Sequence, residues 1–165
     1  MLCLNIGAGF QRIEGFTNID LVQCIDNEGN TYTDVLCDVE KERLPFADNS
    51  VDEIACYEFL EHIGHGRNNP DGLDALIFVM NEMWRVLKPE GVLKGKCPHE
   101  DGENVWADPT HQRVITIAMF DYFCGVNRYN RTQPSRPRKA SYGAKPWNKI
   151  SVDKGVNFVL SPRKV

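Results

Sequence analysis

The sequence predicts an α/β fold, a mostly parallel sheet covered by helices on both faces (α/β/α), in one domain spanning residues 1–165. Three observations carry that expectation. Short β-branched or aliphatic runs alternate with polar or helical stretches. Each run stops at a Gly, Asp, Glu or Pro. The most periodic helical segment falls between two of the runs, as a crossover helix does.

In chain order, candidate strands cover residues 1–6, 17–20, 34–37, 52–57 and 92–97, and residues 156–160 close the sheet. A helix is expected over 73–87, where Leu76, Ile77, Val79, Met80, Met83, Trp84, Val86 and Leu87 recur at helical spacing. Asp71 stands as its N-cap, and Lys88-Pro89-Glu90-Gly91 supplies a stop and turn. A second helix is expected over 114–123, and residues 129–146, rich in Arg, Pro, Ser and Gly, read as an irregular loop. Only residues 10–16 separate the first glycine turn from the second strand. Such a segment reaches about 23–25 Å when extended, against roughly 17 Å for a five-residue strand. Coil can therefore make the crossover, and the first helix is expected to be reduced or absent.

Hydrophobic residues make up 42% and charged residues 25% of the chain, which excludes a disordered polymer. No apolar run reaches the roughly 18–20 residues of a membrane helix. The start, Met1-Leu2-Cys3-Leu4-Asn5, lacks the basic and apolar regions of a signal peptide and reads as a strand that begins at once. The six cysteines make no Cys-x-x-Cys pair, and four lie in or beside apolar runs. Buried thiols in a reducing, cytoplasmic setting are the expectation. The net charge of −4 conceals an asymmetry, because ten of the 19 Lys and Arg residues follow Gly125, opposed by Asp153 alone. The basic stretch 128–149 can face an anionic partner such as nucleic acid, or serve as a solvated flap.

The turn Leu4-Asn5-Ile6-Gly7-Ala8-Gly9-Phe10 follows the first strand, where glycines let backbone approach a ligand at the carboxyl end of a parallel sheet. Asp20, at the end of the next strand, can accept hydrogen bonds from both ribose hydroxyls of a nucleoside. A dinucleotide fingerprint wants a third glycine where Arg12 stands, so a nucleoside without pyrophosphate is favoured. Asp38, at the tip of the third strand, can accept from an adenine amino group or cap the strand end.

Leu4–Gly9, Asp20, Asp38, the run 44–52, Glu58–His62 and Arg85-Val86-Leu87-Lys88-Pro89-Glu90-Gly91 follow in order. Together they resemble a class I methyltransferase of the type 11 kind over residues 1–98, the expected cofactor-binding core, with residues 99–165 on the acceptor side. The resemblance implies a Rossmann-like, seven-stranded, mostly parallel sheet and S-adenosylmethionine as cofactor. It implies that Gly7, Ala8 and Gly9 pass the methionine moiety, with Asn5 and Phe10 also in the cofactor site, and that Asp20 holds the ribose and Asp38 the adenine. Leu21 and Val39 would wall the adenine ring, and Tyr57 and Glu58 would sit near the sulfonium.

If a helix begins at Tyr57, then Glu58, Glu61 and His62 share one face at i, i+3 and i+4, and such a trio can hold a divalent cation. The spacing also resembles metal-dependent O-methyltransferases, some of which add a further histidine, for which His65 or His111 is available. The competing reading is a metal-free Glu-His pair, which relatives also carry, and a metal is the lesser expectation. Downstream, Asp108-Pro109-Thr110-His111 should overhang the methyl group, with His111 as general base or hydroxyl ligand, or as an ordinary polar residue beside a helix cap. Trp106, Phe120, Tyr122 and Phe123 are candidates for an acceptor pocket or for core. The expected activity is methylation of O or N on a small, anionic or sugar-like acceptor. The alternative is a non-catalytic module of the same fold that binds nucleic acid or a protein through the basic segment.

Overall fold

A computed structural model describes residues 1–125, 142–153 and 156–164. Seven strands form one sheet: β1 (Cys3–Ile6), β2 (Thr17–Asp20), β3 (Val35–Leu36), β4 (Val51–Tyr57), β5 (Leu87–Lys96), β6 (Trp147–Val152) and β7 (Asn157–Pro162). Their order is β3-β2-β1-β4-β5-β7-β6. The β1–β2, β1–β4, β2–β3 and β4–β5 pairs are parallel, whereas β7 runs antiparallel between β5 and β6. The order reverses at β1 and β4, so their carboxyl ends open a crevice where such sheets take ligands.

Between β4 and β5 lies α1 (Ala75–Val86), and between β5 and β6 lies α2 (Ile117–Cys124). The N-cap of α1 is Asp74, whose carboxylate accepts from the Leu76 amide; Asp71 is drawn away into an ion pair with Arg43 at 2.7 Å. The helix gives way directly to extended chain at Leu87, so the expected turn at 88–91 is already part of β5. Thr116 caps α2, and Gly125 ends it in the left-handed conformation. The edge strand β6 had no counterpart in the sequence pattern, since most of its residues are exposed and carry little burial signal.

The hydrophobic core lies on one face of the sheet. Leu4, Ile6, Ile19, Ile54, Leu93 and Phe158 meet Val79, Met80 and Met83 of α1 and Phe120 and Phe123 of α2. Each fully buried side chain of this size contributes about 1.5–3 kcal/mol. Among the described residues no α-helix joins β1 to β2, β2 to β3 or β3 to β4, so the first helix is absent, in line with the short linker, and the second helical layer is missing with it. Buried asparagines stand in for it. Asn5 Nδ2 donates to Gln11 O and to Asn18 Oδ1; Asn18 Oδ1 also accepts from the Ile13 amide, and Asn18 Nδ2 donates to Phe16 O and Asp34. Arg12, where a third glycine would stand in a dinucleotide site, closes the network on Asp34 at 2.8 Å. A coil that cannot satisfy its own backbone is thus held by side-chain amides.

The two runs that carried the resemblance are one piece of architecture. Arg85 donates to Leu44 O, Phe46 O and Asp48, and twice to Glu82, while Glu82 also receives Arg43 and the Leu44 amide. Glu82 is buried, and its carboxylate is surrounded by donors, the arrangement in which a buried charge is tolerated.

Candidate functional site

Gly7 takes φ +71°, and a Cβ there would lie 2.1 Å from Phe59 Cδ2, so neither the backbone nor the space admits a side chain. Gly9 turns with φ +50° and aims its amide at Asp20, whose Oδ2 accepts it at 2.8 Å. Asp20 Oδ1 accepts from the Val22 amide at 3.2 Å. Both carboxylate oxygens keep lone pairs for a ligand. A cavity of about 360 Å³ opens beside them, lined by Gly7, Gly9, Asp20, Leu21, Asp38, Val39 and Glu58 among the residues expected from sequence. Ile19, Cys37, Glu40, Phe59, His62 and Ile63 complete the wall. Phe59, although inside the Glu58–His62 run, and Ile63 carried no expected role, because they reach the cavity only through the turn that follows β4.

Four expected cofactor residues lie outside that wall. Asn5 is spent on the coil crossover described above. Ala8 is buried, with its amide given to Ile19 O. Phe10 is 65% exposed and meets Tyr32 edge-on at 5.7 Å. Tyr57, at the end of β4, faces outward and is exposed. Asp38 does line the cavity, but it also accepts from Lys41 at 2.8 Å and from the Glu40 amide, so it caps its own turn.

A second cavity, about 560 Å³, adjoins the first and shares Glu58 and His62 with it; Glu61, Pro98, Asp108 and His111 also line it. The chain after β4 does not form the expected α-helix. Glu58 has φ +49°, and only a single 3₁₀ turn, Leu60–His62, follows. Glu58 pairs with Lys96 at 3.2 Å and still lies beside Glu61, helping to raise its carboxyl. His111 takes the place of Glu58: the loop ending at Arg113 is docked by the Gln112 and Arg113 amides on Glu61 O, and the His62 and His111 rings meet edge-on at 4.7 Å.

The Glu61 side chain is buried, with the residue 2% exposed, and neither carboxylate oxygen has a hydrogen-bond partner. Burial pushes its carboxyl up to about 7. The thiol of Cys97 is its polar neighbour, a weak donor whose own pKa is raised by burial and by the Glu61 charge. Asp108 is held below the usual carboxylate range, first by the Thr110 hydroxyl and amide. His65 lies apart, 3.7 Å from Asp74. Of the candidate acceptor aromatics, Phe120 and Phe123 are core, Tyr122 borders a separate apolar cavity over α1 and α2, and Trp106 is exposed.

Much of the basic stretch falls outside the described residues. Two described cations near the C-terminus have internal partners: Lys149 reaches Asp121, and Lys164 caps the end of α1 through Arg85 O and Leu87 O while stacking on Trp84 at 4.5 Å. No helix among the described residues is long and apolar enough to cross a membrane.

Solved structures share this fold. An S-adenosylmethionine-dependent methyltransferase from Archaeoglobus fulgidus superposes with a TM-score of 0.52 at 17% identity, covering 73% of this chain and 57% of that one. A Burkholderia thailandensis 1,6-didemethyltoxoflavin-N1-methyltransferase, solved with 1,6-didemethyltoxoflavin and S-adenosylhomocysteine, gives 0.53 at 13% identity over 97% of this chain and 68% of its own. An S-adenosylmethionine-dependent methyltransferase from Aquifex aeolicus gives 0.50 at 16% identity over 98% and 81%. The chain spans less than two thirds of the archaeal structure. Comparison with curated proteins found no match. A family model described as a methyltransferase domain matches residues 17–94. That match begins at β2 and ends within β5, so it takes in Asp20, Asp38 and both halves of the Arg85 clamp, and over that stretch the chain is similar to the methyltransferase domain family.

Proposed function

We propose that this chain transfers a methyl group from S-adenosylmethionine to an O or N atom of a small acceptor. The observation that carries the reading is the Gly9 amide on the Asp20 carboxylate at 2.8 Å, at the mouth of a cavity walled by Gly7, Leu21, Asp38 and Val39. These residues fit the cofactor. Asp20 offers lone pairs to ribose hydroxyls, Leu21 and Val39 offer apolar walls to a flat base, and Gly7 lets backbone approach closely. When bound, the cofactor supplies a methyl group on a sulfonium, with a good leaving group built in. The protein's part is to hold the acceptor in line and exclude competing geometry, which is catalysis by proximity and orientation.

The acceptor-side cavity bears on the acceptor. Glu58, Glu61 and Asp108 make it acidic, which argues against the anionic acceptor expected from sequence and leaves a neutral, sugar-like or other hydroxyl acceptor better supported. His111 supports an oxygen acceptor, because its Nδ1 is engaged at 2.7 Å by Val105 O while its Nε2 remains for the cavity. Five buried cysteines and the half-buried Cys124, none of them in a disulfide, support a reducing, cytoplasmic setting. Calorimetry with S-adenosylhomocysteine tests the cofactor reading: one site with micromolar affinity is expected, and folded protein that binds none defeats it.

A further inference from the structure

We infer that Glu61, His62 and His111 form a binding site for one divalent transition-metal ion at the floor of the acceptor cavity. One oxygen of Glu61 and one nitrogen of each imidazole lie within 4.8 Å of one another. Bonds of about 2.0–2.2 Å to a shared ion need those atoms at most roughly 4.2 Å apart, so side-chain shifts of under about an ångström close the site.

Three independent features point the ligand atoms inward. Glu61 is a carboxylate with both oxygens buried and without a partner, a state that otherwise carries a large desolvation cost. His111 faces a carbonyl, Val105 O, which can only accept; Nδ1 therefore carries the proton, and Nε2 presents a lone pair. His62 Nδ1 lies 3.0 Å from Thr110 Oγ1. That hydroxyl gives its own hydrogen to Asp108 at 2.6 Å, so it accepts from Nδ1, and Nε2 of His62 is likewise left with a lone pair. Both rings are thus fixed in the tautomer a metal requires, by outer partners of the kind metal-binding histidines use.

The donor set names the class of ion. Two imidazoles and one carboxylate suit zinc, manganese, iron or cobalt, and suit calcium or magnesium poorly because those prefer all-oxygen cages. Glu58, which the sequence spacing had placed in the set, is engaged by Lys96 instead. Three protein ligands leave positions open toward the cavity, and His62 borders both cavities, so the ion sits beside the cofactor site. If the methyltransferase reading holds, an acceptor hydroxyl is the group that would occupy an open position, where the ion's charge makes its proton easier to lose.

The site is tested on the whole chain, stripped with chelator and titrated with Zn²⁺ or Co²⁺ by calorimetry and, for Co²⁺, by visible absorption. One equivalent should bind, with a d–d band marking nitrogen ligation. Glu61→Gln and His111→Ala should each weaken binding by about 100-fold or more, and Thr110→Val by about 10-fold through loss of the outer partner. Glu58→Gln should leave the affinity within about 3-fold. Wild-type protein that binds neither ion stoichiometrically overturns the site, and equal weakening by Glu58→Gln overturns this ligand set. S-adenosylhomocysteine binding, measured on the same samples, reports whether the variants are folded and separates failure of the metal site from failure of the cofactor reading.

Discussion

At the scale of single residues, the cofactor cradle depends on one contact across the crevice. Asp20 ends β2, Gly9 belongs to the turn after β1, and their hydrogen bond sets the spacing between two neighbouring strand ends. Removing the carboxylate deletes the acceptor proposed for ribose hydroxyls and also frees the Gly9 amide. Hydrogen bonds to charged groups contribute about 1.5–3 kcal/mol, so Asp20→Ala should weaken S-adenosylhomocysteine binding by roughly 10- to 100-fold while the melting temperature stays near wild type. Unchanged affinity would remove Asp20 from the site. Phe10 shows the opposite case. It sits in the same turn, yet the left-handed bend at Gly9 carries it outward against Tyr32, away from the cavity.

At the scale of elements, α1 is tied down along its C-terminal half by side chains whose purpose the sequence pattern did not show. Glu82 and Arg85 bind the run after β3, Asn81 bridges Gly143 O and the Lys145 amide, and Trp84 donates to Pro146 O. The helix is therefore the hub through which the β3–β4 connection and the C-terminal strands reach one another. Glu82→Ala leaves two guanidinium groups without their shared carboxylate, and breaking a buried pair of this kind costs about 3–5 kcal/mol. Chemical denaturation should show that loss as a lower midpoint; a change below about 1 kcal/mol would mark the clamp as a surface ion pair. The Leu-Pro-Phe run and the Arg-Val-Leu-Lys-Pro-Glu-Gly turn thus gave the family resemblance for a structural reason, since each is the other's binding partner.

For the whole molecule, acid is the condition that should loosen the fold. Asp26, Asp34, Asp48, Asp52 and Asp108 all have carboxyls held below their ordinary value by hydrogen bonds, Asp34 chiefly by the Asn18 amide and side chain. A carboxyl depressed in the folded state binds its proton more tightly when unfolded. Its stabilisation is complete above the unfolded value of about 3.9 and is lost as pH falls through the lower folded value. Glu61, raised by burial to about 7, acts in the opposite sense and mainly at higher pH, its contribution being lost as pH rises from the unfolded value of about 4.3 towards 7. Melting temperature should therefore fall from pH 5 to pH 3. Asp34→Asn should start lower and lose less over that interval, whereas an equal loss in both proteins would show that Asp34 does not contribute to the slope.

Much of this architecture was readable along the chain, and the unread part has a common cause. Strand positions and α1 follow from the local periodicity of buried side chains, and the missing first helix follows from a chain length too short to hold one. Asp20 and the glycine turn could be named together because each closes a strand end only a short stretch of chain from the other, and the fold joins them by the Gly9 amide on Asp20. Sequence alone did not reveal the collapse of the second helical layer, the use of Asn5 and Asn18 to hold a coil, or the exchange of Glu58 for His111 beside Glu61 and His62. A positive φ at Glu58 turns that side chain out of helical phase, and amides donated to Glu61 O bring in His111 from a loop almost fifty positions away. Periodicity reports which side chains are buried, whereas long-range hydrogen bonds decide which of them meet, and those bonds exist only once the chain has folded.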